Sequence, residues 1–180
     1  MTHLKLFVSL CLSSLLLMAC THFNEDRADQ FQSLTQDQQS QYWQAKKIES
    51  LMQQLESLGV AVYVEGDEYQ ILIPASLLFN EDTPQLSDTA KPVFNAVSAL
   101  INAQSTPAVR ILAYTNKNGS TRRNLALSQS WAASTLDQLR QQGLLVGLLS
   151  AQGHGKCDTI GKNNSLTNRI EIRYRISHGN

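Results

Sequence analysis

Residues 111–132 of this 180-residue chain read ILAYTNKNGSTRRNLALSQSWA, and the neighbouring elements are organised around them. An apolar strand over residues 109–114 leads into the polar turn 115–120, and a helix follows to about Gln142. One face of that helix carries Leu125, Ser128, Ala132, Leu136 and Leu139. A strand, a glycine-containing turn and a helix N-terminus bring side chains and backbone N–H groups to one concave place. The pattern therefore predicts that the start of this helix is a binding site or has descended from one.

The first twenty residues have the pattern of an export signal. Lys5 precedes an apolar stretch over residues 6–18, which is too short to span a bilayer. The stretch ends in Leu17-Met18-Ala19-Cys20, which resembles the bacterial lipobox, so we predict that residues 1–19 are removed and that Cys20 is lipidated. By the same resemblance, Thr21 indicates the outer membrane, with the domain facing the periplasm. The alternative is an ordinary signal peptide with a chance cysteine.

The composition gives no support for nucleic-acid binding, catalysis or a metal site. Lysine plus arginine and aspartate plus glutamate each number 15, so the formal net charge is zero, and no basic stripe is present. The sequence shows no Ser/His/Asp set and no carboxylate pair at a defined spacing, and His154 with Cys157 offers only two metal ligands. We therefore expect a non-enzymatic protein without a metal or cofactor.

Cys157 is the cysteine that remains once Cys11 leaves with the signal peptide and Cys20 carries lipid. It has no intramolecular partner. It is therefore either a loop cysteine without a role or, in an oxidising periplasm, a site for an intermolecular disulfide.

The mature chain is predicted to divide into a tether and one domain. Residues 20–40 are polar and rich in glutamine, which indicates a mostly disordered tether. Residues 41–180 form the domain, whose first helix is amphipathic and ends at Gly59. The apolar stripe of this helix, which serves either the core or a partner groove, is Ile48, Leu51, Met52, Leu55 and Leu58.

The remaining pattern alternates strands and helices. A hairpin is predicted over residues 60–73, and residues 151–167 are predicted to be a loop. Ser87 is the predicted N-cap of a helix that runs to about Ala103 and buries Ala90, Val93, Phe94, Val97, Leu100 and Ile101. Residues 168–176 are predicted to form a last strand with Ile170, Ile172, Tyr174 and Ile176 facing inward. We expect an α+β fold in which helices cover one face of a mixed sheet.

Five motifs in this order resemble the OmpA-like, or OmpA/MotB C-terminal, peptidoglycan-associating domain. They are Leu78-Phe79 with Leu86-Ser87, the turn Ala113-Tyr114-Thr115-Asn116-Lys117-Asn118-Gly119-Ser120, the helix positions Asn124, Leu127-Ser128 and Ala132, the loop Gly153-His154-Gly155, and Asn168-Arg169-Ile170-Glu171-Ile172. The resemblance implies the two-layer α/β sandwich of that family. It also implies a peptidoglycan-binding cleft formed by Thr115, Asn116, Asn124, Leu127, Trp131 and Arg169.

Two of these positions depart from the family. The resemblance implies that a turn aspartate and a helix arginine hold the diaminopimelate of the stem peptide, through its ammonium and carboxylate groups. This chain has Asn116 and Trp131 there. Asparagine has no charge and tryptophan cannot pair with a carboxylate, so we expect diaminopimelate binding to be weak or absent. Trp131 either fills the vacated cleft by packing on Leu127 or anchors a protein interface.

Three basic residues could form a different, anion-binding site at the same place. Lys117, Arg122 and Arg123 surround the N-terminus of the helix, where cations are unfavourable unless an anion lies nearby. They are either anion contacts or part of a solvated surface.

We therefore expect an outer-membrane lipoprotein that acts as a structural or accessory component of an envelope-spanning assembly. The layout resembles the OmpA-like accessory lipoproteins of the Dot/Icm type IVB secretion apparatus, which implies the membrane and other envelope or secretion-complex proteins as partners. The alternative is a working non-covalent anchor that links the outer membrane to peptidoglycan.

Overall fold

The computed structural model describes residues 34–177 apart from Asp82, Pro107, 116–118 and 157–166. The predicted signal peptide, Cys20 and Cys157 lie outside these residues. The chain divides into two compact units, Met1–Lys46 and Lys47–Asn180. Within the part described, none of the helices combines the length and apolar character that a membrane span requires.

The first helix, α1 (Gln36–Ser57), begins earlier than the sequence predicted. The tether interpretation is wrong for residues 36–40, which are helical. Thr35 and Gln38 form a capping box: the Thr35 N–H donates to Gln38 Oε1 over 2.9 Å, and the Gln38 N–H donates to Thr35 Oγ1 over 3.3 Å. The predicted stripe at the other end of α1 packs against the core, with Leu55 fully buried, and Gly59 follows at a φ of 81°.

The predicted hairpin is confirmed as β1 (Ala61–Glu65) and β2 (Glu68–Pro74). A short helix, α2 (Ala75–Leu78), follows, and α3 (Ala90–Asn102) buries all six residues predicted for its inner face. Ser87 is not its N-cap. The Ser87 hydroxyl donates instead to the Leu77 carbonyl over 2.8 Å, as does that of Thr89 over 2.9 Å, so both side chains fasten α3 to α2.

The last part of the fold contains β3 (Ala108–Tyr114), α4 (Thr121–Gln141), β4 (Leu148–Gly155) and β5 (Arg169–Arg175). The sheet order is β1-β2-β5-β3-β4, and the β3–β4 pair is parallel whereas the others are antiparallel. The predicted mixed sheet and α+β class are confirmed. β5 lies at the centre, and β1 and β4 are the edge strands of the described sheet.

One face of the sheet carries the aliphatic core beneath the helices, and Ile170, Ile172 and Tyr174 of β5 are buried there as predicted. Ile176 lies beyond the end of β5 and is only partly buried. The ring of Tyr174 stacks on that of Tyr69, with centroids 5.0 Å apart. Burial raises the pKa of the Tyr174 phenol, and the neighbouring Tyr69 raises it further.

The loop prediction is wrong for residues 151–155, which belong to β4. The two glycines of this segment made it resemble a loop, but they serve close packing instead. A Cβ on Gly153 would lie 2.2 Å from the backbone nitrogen of Gln129, so only glycine lets β4 approach α4 this closely.

Candidate functional site

The N-terminus of α4 is held by a small polar network. Ser120 is the N-cap, and its Oγ accepts a hydrogen bond from the Arg123 N–H over 3.2 Å. The Asn124 amide donates to the Ser120 carbonyl over 3.1 Å, while the Thr115 hydroxyl lies 3.4 Å from Asn124 Oδ1. Thr115 and Asn124 are both buried, so the predicted turn and helix residues do lie together.

A second contact joins the same part of α4 to β4. The Gly155 N–H donates to Ser128 Oγ over 2.8 Å, and the Gly153 N–H donates to Gln129 Oε1 over 2.9 Å. The Gly155 carbonyl in turn accepts the Thr115 N–H over 2.9 Å. The backbone groups of the Gly-x-Gly segment thus fix the position of the turn relative to the helix, through two side-chain acceptors on α4 and the Thr115 N–H.

The buried stripe of α4 differs from the predicted one. Leu125 is 48% exposed, whereas Asn124, Trp131 and Thr135 are buried. These three residues share a face with Ser128 because they follow one another at intervals of three or four. The deviation arises because the helix must present polar groups to the turn and to β4 at its N-terminal end.

Trp131 occupies the space between α4 and the loop that follows α2. Its side chain is 2% exposed, and its ring stacks on Phe79 with centroids 5.6 Å apart and planes 7° from parallel. The indole N–H donates to the Thr83 carbonyl over 2.7 Å. An interface-anchor role is therefore wrong for this conformation, because no face of the ring is available to a partner. The other predicted role, in which Trp131 fills the cleft, agrees with this placement. The prediction named Leu127 as the packing partner, whereas the ring stacks on Phe79.

Of the three predicted anion contacts, Arg122 and Arg123 are exposed on the first turn of α4, and Lys117 lies outside the described residues. The predicted cleft residue Asn116 also lies outside them. Leu127 is partly buried against the core. The cleft residues described on the helix side, Thr115, Asn124, Leu127 and Trp131, have no charged side chain.

Arg169 lies on the other face of the sheet, where it pairs with Tyr114 across β5 and β3. Its Nε donates to Glu171 Oε1 over 2.7 Å, and its guanidinium carbon lies 4.0 Å from the centroid of the Tyr114 ring. The described contacts thus place Arg169 beside Tyr114, and its part in the cleft stays a prediction. The alternation of β5 explains this position, because Arg169 and Glu171 point away from the isoleucine face.

Glu171 was not singled out in the sequence as a site residue, yet its side chain is fully buried. It accepts hydrogen bonds from Arg169, Arg173 and Gln70, the shortest at 2.6 Å from Arg173 Nη2. The arginines at positions two before and two after it are the signal that points to this ion cluster, because residues i and i±2 share a strand face. The cluster thus holds one buried carboxylate between two guanidinium groups of the same strand.

Phe79 and Thr83 are the other partners that the sequence did not identify. Thr83 contributes only its carbonyl to Trp131, and a backbone acceptor leaves no sequence signal. The arrangement as a whole supplies neutral donors and acceptors at the turn and a filled aromatic space further along α4. Chemically, these neutral groups can form hydrogen bonds to a small polar group, and the exposed Arg122 and Arg123 are charged groups on the same helix turn.

Comparisons with known structures agree with this fold. The cell wall anchor of the T6SS from Pseudomonas aeruginosa matches with a TM-score of 0.59 and 18% identity, covering 73% of this chain and 97% of that one. A putative MotB-like protein from Desulfovibrio vulgaris matches with a TM-score of 0.57 and 18% identity, covering 75% and 99%. At these identities the likeness concerns the fold.

Sequence comparisons point in the same direction. The probable lipoprotein YiaD of Escherichia coli K12 is 24% identical over 132 residues, which are 73% of this chain and 60% of that protein. The chain thus spans about 60% of the length of this curated relative. The sequence profile of the OmpA family matches residues 78–173, from the end of α2 through most of β5, which is more than half of the chain. The chain therefore belongs to the OmpA family.

Proposed function

We propose that this protein is a lipoprotein of the outer membrane, anchored through Cys20, whose OmpA domain is a structural component of an envelope-spanning assembly. Diaminopimelate binding is weak or absent, and a type IV secretion apparatus is the class of assembly that we favour. The lipobox-like residues 17–20 and the likeness to a probable lipoprotein support the anchor. Secretion-complex or other envelope proteins are the proposed partners.

The single observation that carries the proposal is the burial of Trp131. The family resemblance implies an arginine at this position of the helix, where it pairs with a carboxylate of diaminopimelate. Here the indole ring is sandwiched against Phe79 and hydrogen-bonded to the loop after α2, so the place is occupied by the protein itself. A ligand could enter only if this side chain left a well-packed position.

The energetic consequence follows from the two missing charges. A charge-assisted hydrogen bond contributes about 1.5–3 kcal/mol, so loss of both ionic contacts weakens binding by about 3–6 kcal/mol. That free energy corresponds to about two to four orders of magnitude in the dissociation constant. The cost of displacing Trp131 would weaken binding further.

A working peptidoglycan anchor is the second candidate, and one observation favours it. The hydrogen bonds among Ser120, Asn124 and Thr115 preserve a formed helix N-terminus beside the turn. Such a terminus still favours an anionic group through its backbone N–H groups. The likeness of the fold to a cell wall anchor is consistent with this candidate.

A binding assay with purified sacculi separates the two candidates. We expect the wild-type chain to stay in the supernatant, and we expect Asn116→Asp combined with Trp131→Arg to bring it into the pellet. The reason is that this pair of changes restores one carboxylate and one guanidinium.

The matched control is Asn116→Asp combined with Trp131→Phe, which adds the carboxylate but supplies no cation. It should not bind. Circular dichroism checks that each variant is folded before the assay. Tight binding of the wild-type chain, competed by free stem peptide, would refute the proposal in favour of the anchor.

A further inference from the structure

The edge strand β4 presents an unpaired half that the proposed function does not use. The N–H groups of Gly153 and Gly155 point away from β3, because they donate to Gln129 and Ser128 of α4. By the two-residue period of a strand, the N–H groups of Leu149 and Ala151 point to the same edge. Neither of these two N–H groups has an acceptor among the described residues outside the sheet ladder.

Two large apolar side chains are exposed here, Leu148 in this half of β4 and Leu145 in the segment that precedes the strand. Leu145 is 81% exposed and Leu148 is 65% exposed, the highest values among the large hydrophobic residues of the described chain. Residues 141–153 include no charged residue and no proline. Natural edge strands are usually protected from pairing by such residues or by a bulge, and the bulge of β4 lies at its far end, opposite Tyr114. This half of the edge is therefore open to strand addition.

A cavity of about 280 Å³ lies beside this edge on the sheet face opposite the helices. Leu148 and Ser150 of β4 line its outer side, and the charged residues that line it are Arg110, Arg173, Arg175 and Glu68. Arg173 is engaged by Glu171, and Arg175 lies 3.5 Å from Glu68. Among the residues that the structure describes, no carboxylate is within ion-pair distance of Arg110.

The register of the sheet connects the cavity to the edge. Arg173, Arg110 and Ser150 are neighbours in one row across β5, β3 and β4. Adjacent strands are about 4.8 Å apart, so a residue on an added strand in this row would lie about 10 Å from Arg110. Only the short Ser150 side chain stands between them. A long acidic side chain at that position can therefore reach the guanidinium group.

We propose that the Leu148–Ala151 half of β4 is a docking edge for an extended acidic segment of another protein. The segment adds a strand to the sheet, places an apolar residue on Leu145 and Leu148, and directs a carboxylate to Arg110. A second copy of this chain fits less well, because its own β4 edge has no carboxylate to offer Arg110. The proposal does not depend on diaminopimelate binding or on Trp131.

The test uses the full-length chain, in the cells that make it, with a photo-crosslinking amino acid in place of Ser150. We expect adducts with another protein, and mass spectrometry of the joined peptides should place the crosslink within a segment that contains aspartate or glutamate. Arg110→Glu in the same chain should lower the adduct yield at least tenfold. Exchange of the mapped acidic residue for lysine should restore the yield in the Arg110→Glu background.

Two controls make the result specific. Arg140→Glu changes an exposed arginine near the end of α4 and should leave the yield within twofold of the wild-type value. A crosslinker in place of Tyr63, on the opposite edge strand β1, should not give the same adduct. Adducts with a second copy, with lipid or with nothing at all would overturn the proposal, as would a yield that Arg110→Glu leaves unchanged. None of these outcomes alters the sacculus result, so the two proposals fail separately.

Discussion

The N-terminal half of helix α4 and its middle make different kinds of contact. Its N-terminal half keeps the contacts that hold the family fold together, with Asn124 bonded to the turn and Ser128 bonded to Gly155. Its middle carries Trp131 at the position that the resemblance gives to a ligand-binding arginine, and this ring packs against Phe79. Under the proposed function, the fold and the ionic contacts to a ligand are therefore separable, because neutral hydrogen bonds maintain the fold while an aromatic side chain takes the place of a charged one.

Trp131→Ala should have the largest effect on this comparison. Truncation of a buried tryptophan leaves a cavity and an unpaired Thr83 carbonyl, and we expect the free energy of unfolding to fall by about 4 kcal/mol. Urea denaturation followed by circular dichroism measures the change. Trp43→Ala is the matched control because Trp43 is 60% exposed, and it should change the free energy by less than about 0.5 kcal/mol. Equal effects of the two changes would show that Trp131 is not a packing residue.

Gly153→Ala tests the other half of the helix. The added methyl group would lie within 2.6 Å of the Gln129 backbone, so β4 and α4 must separate. We expect a loss of about 3 kcal/mol in the free energy of unfolding, at the upper end of the usual cost of overpacking. Thermal and urea denaturation measure it, with the exposed Ser150→Ala on the same strand as the control. A variant as stable as the wild type would contradict the close-packing role of this glycine.

Trp131→Phe should have the smallest effect, and it separates packing from hydrogen bonding. Phenylalanine can keep the stack on Phe79 but cannot donate to the Thr83 carbonyl. We expect a loss of about 1.5 kcal/mol in the free energy of unfolding. A loss as large as that of Trp131→Ala would show instead that the indole N–H, and not the ring, holds the loop.

Most of the fold was predictable because its signals are local. The stripe of α3, the hairpin turn at Gly66 and the alternation of β5 depend on the period of each element, and all three are confirmed. The early start of α1 was also signalled, by the Thr35-x-x-Gln38 capping box, but the glutamine-rich composition favoured a tether. The strand character of residues 151–155 was hidden, because glycine is unfavourable in a strand unless another backbone comes close.

The site was less predictable because its contacts join distant parts of the chain. The turn and the start of α4 are adjacent in sequence, so their meeting followed from a local pattern. The contact between Trp131 and the Thr83 carbonyl spans 48 positions and uses a backbone acceptor, which leaves no sequence signal. Arg169 was assigned to the cleft by motif order, which locates a residue along the chain, whereas strand alternation determines that it faces away from Ile170 and Ile172.

The burial of Trp131 also gives the molecule an optical reporter. The chain has two tryptophans, of which one is enclosed and the other, Trp43, faces water, so their emission maxima differ in wavelength. A ligand that opens the space between α4 and the loop to water would hydrate the enclosed indole and shift its fluorescence to the red. Titration of unlabelled protein therefore reveals whether this space ever opens, without a mutation or an attached dye.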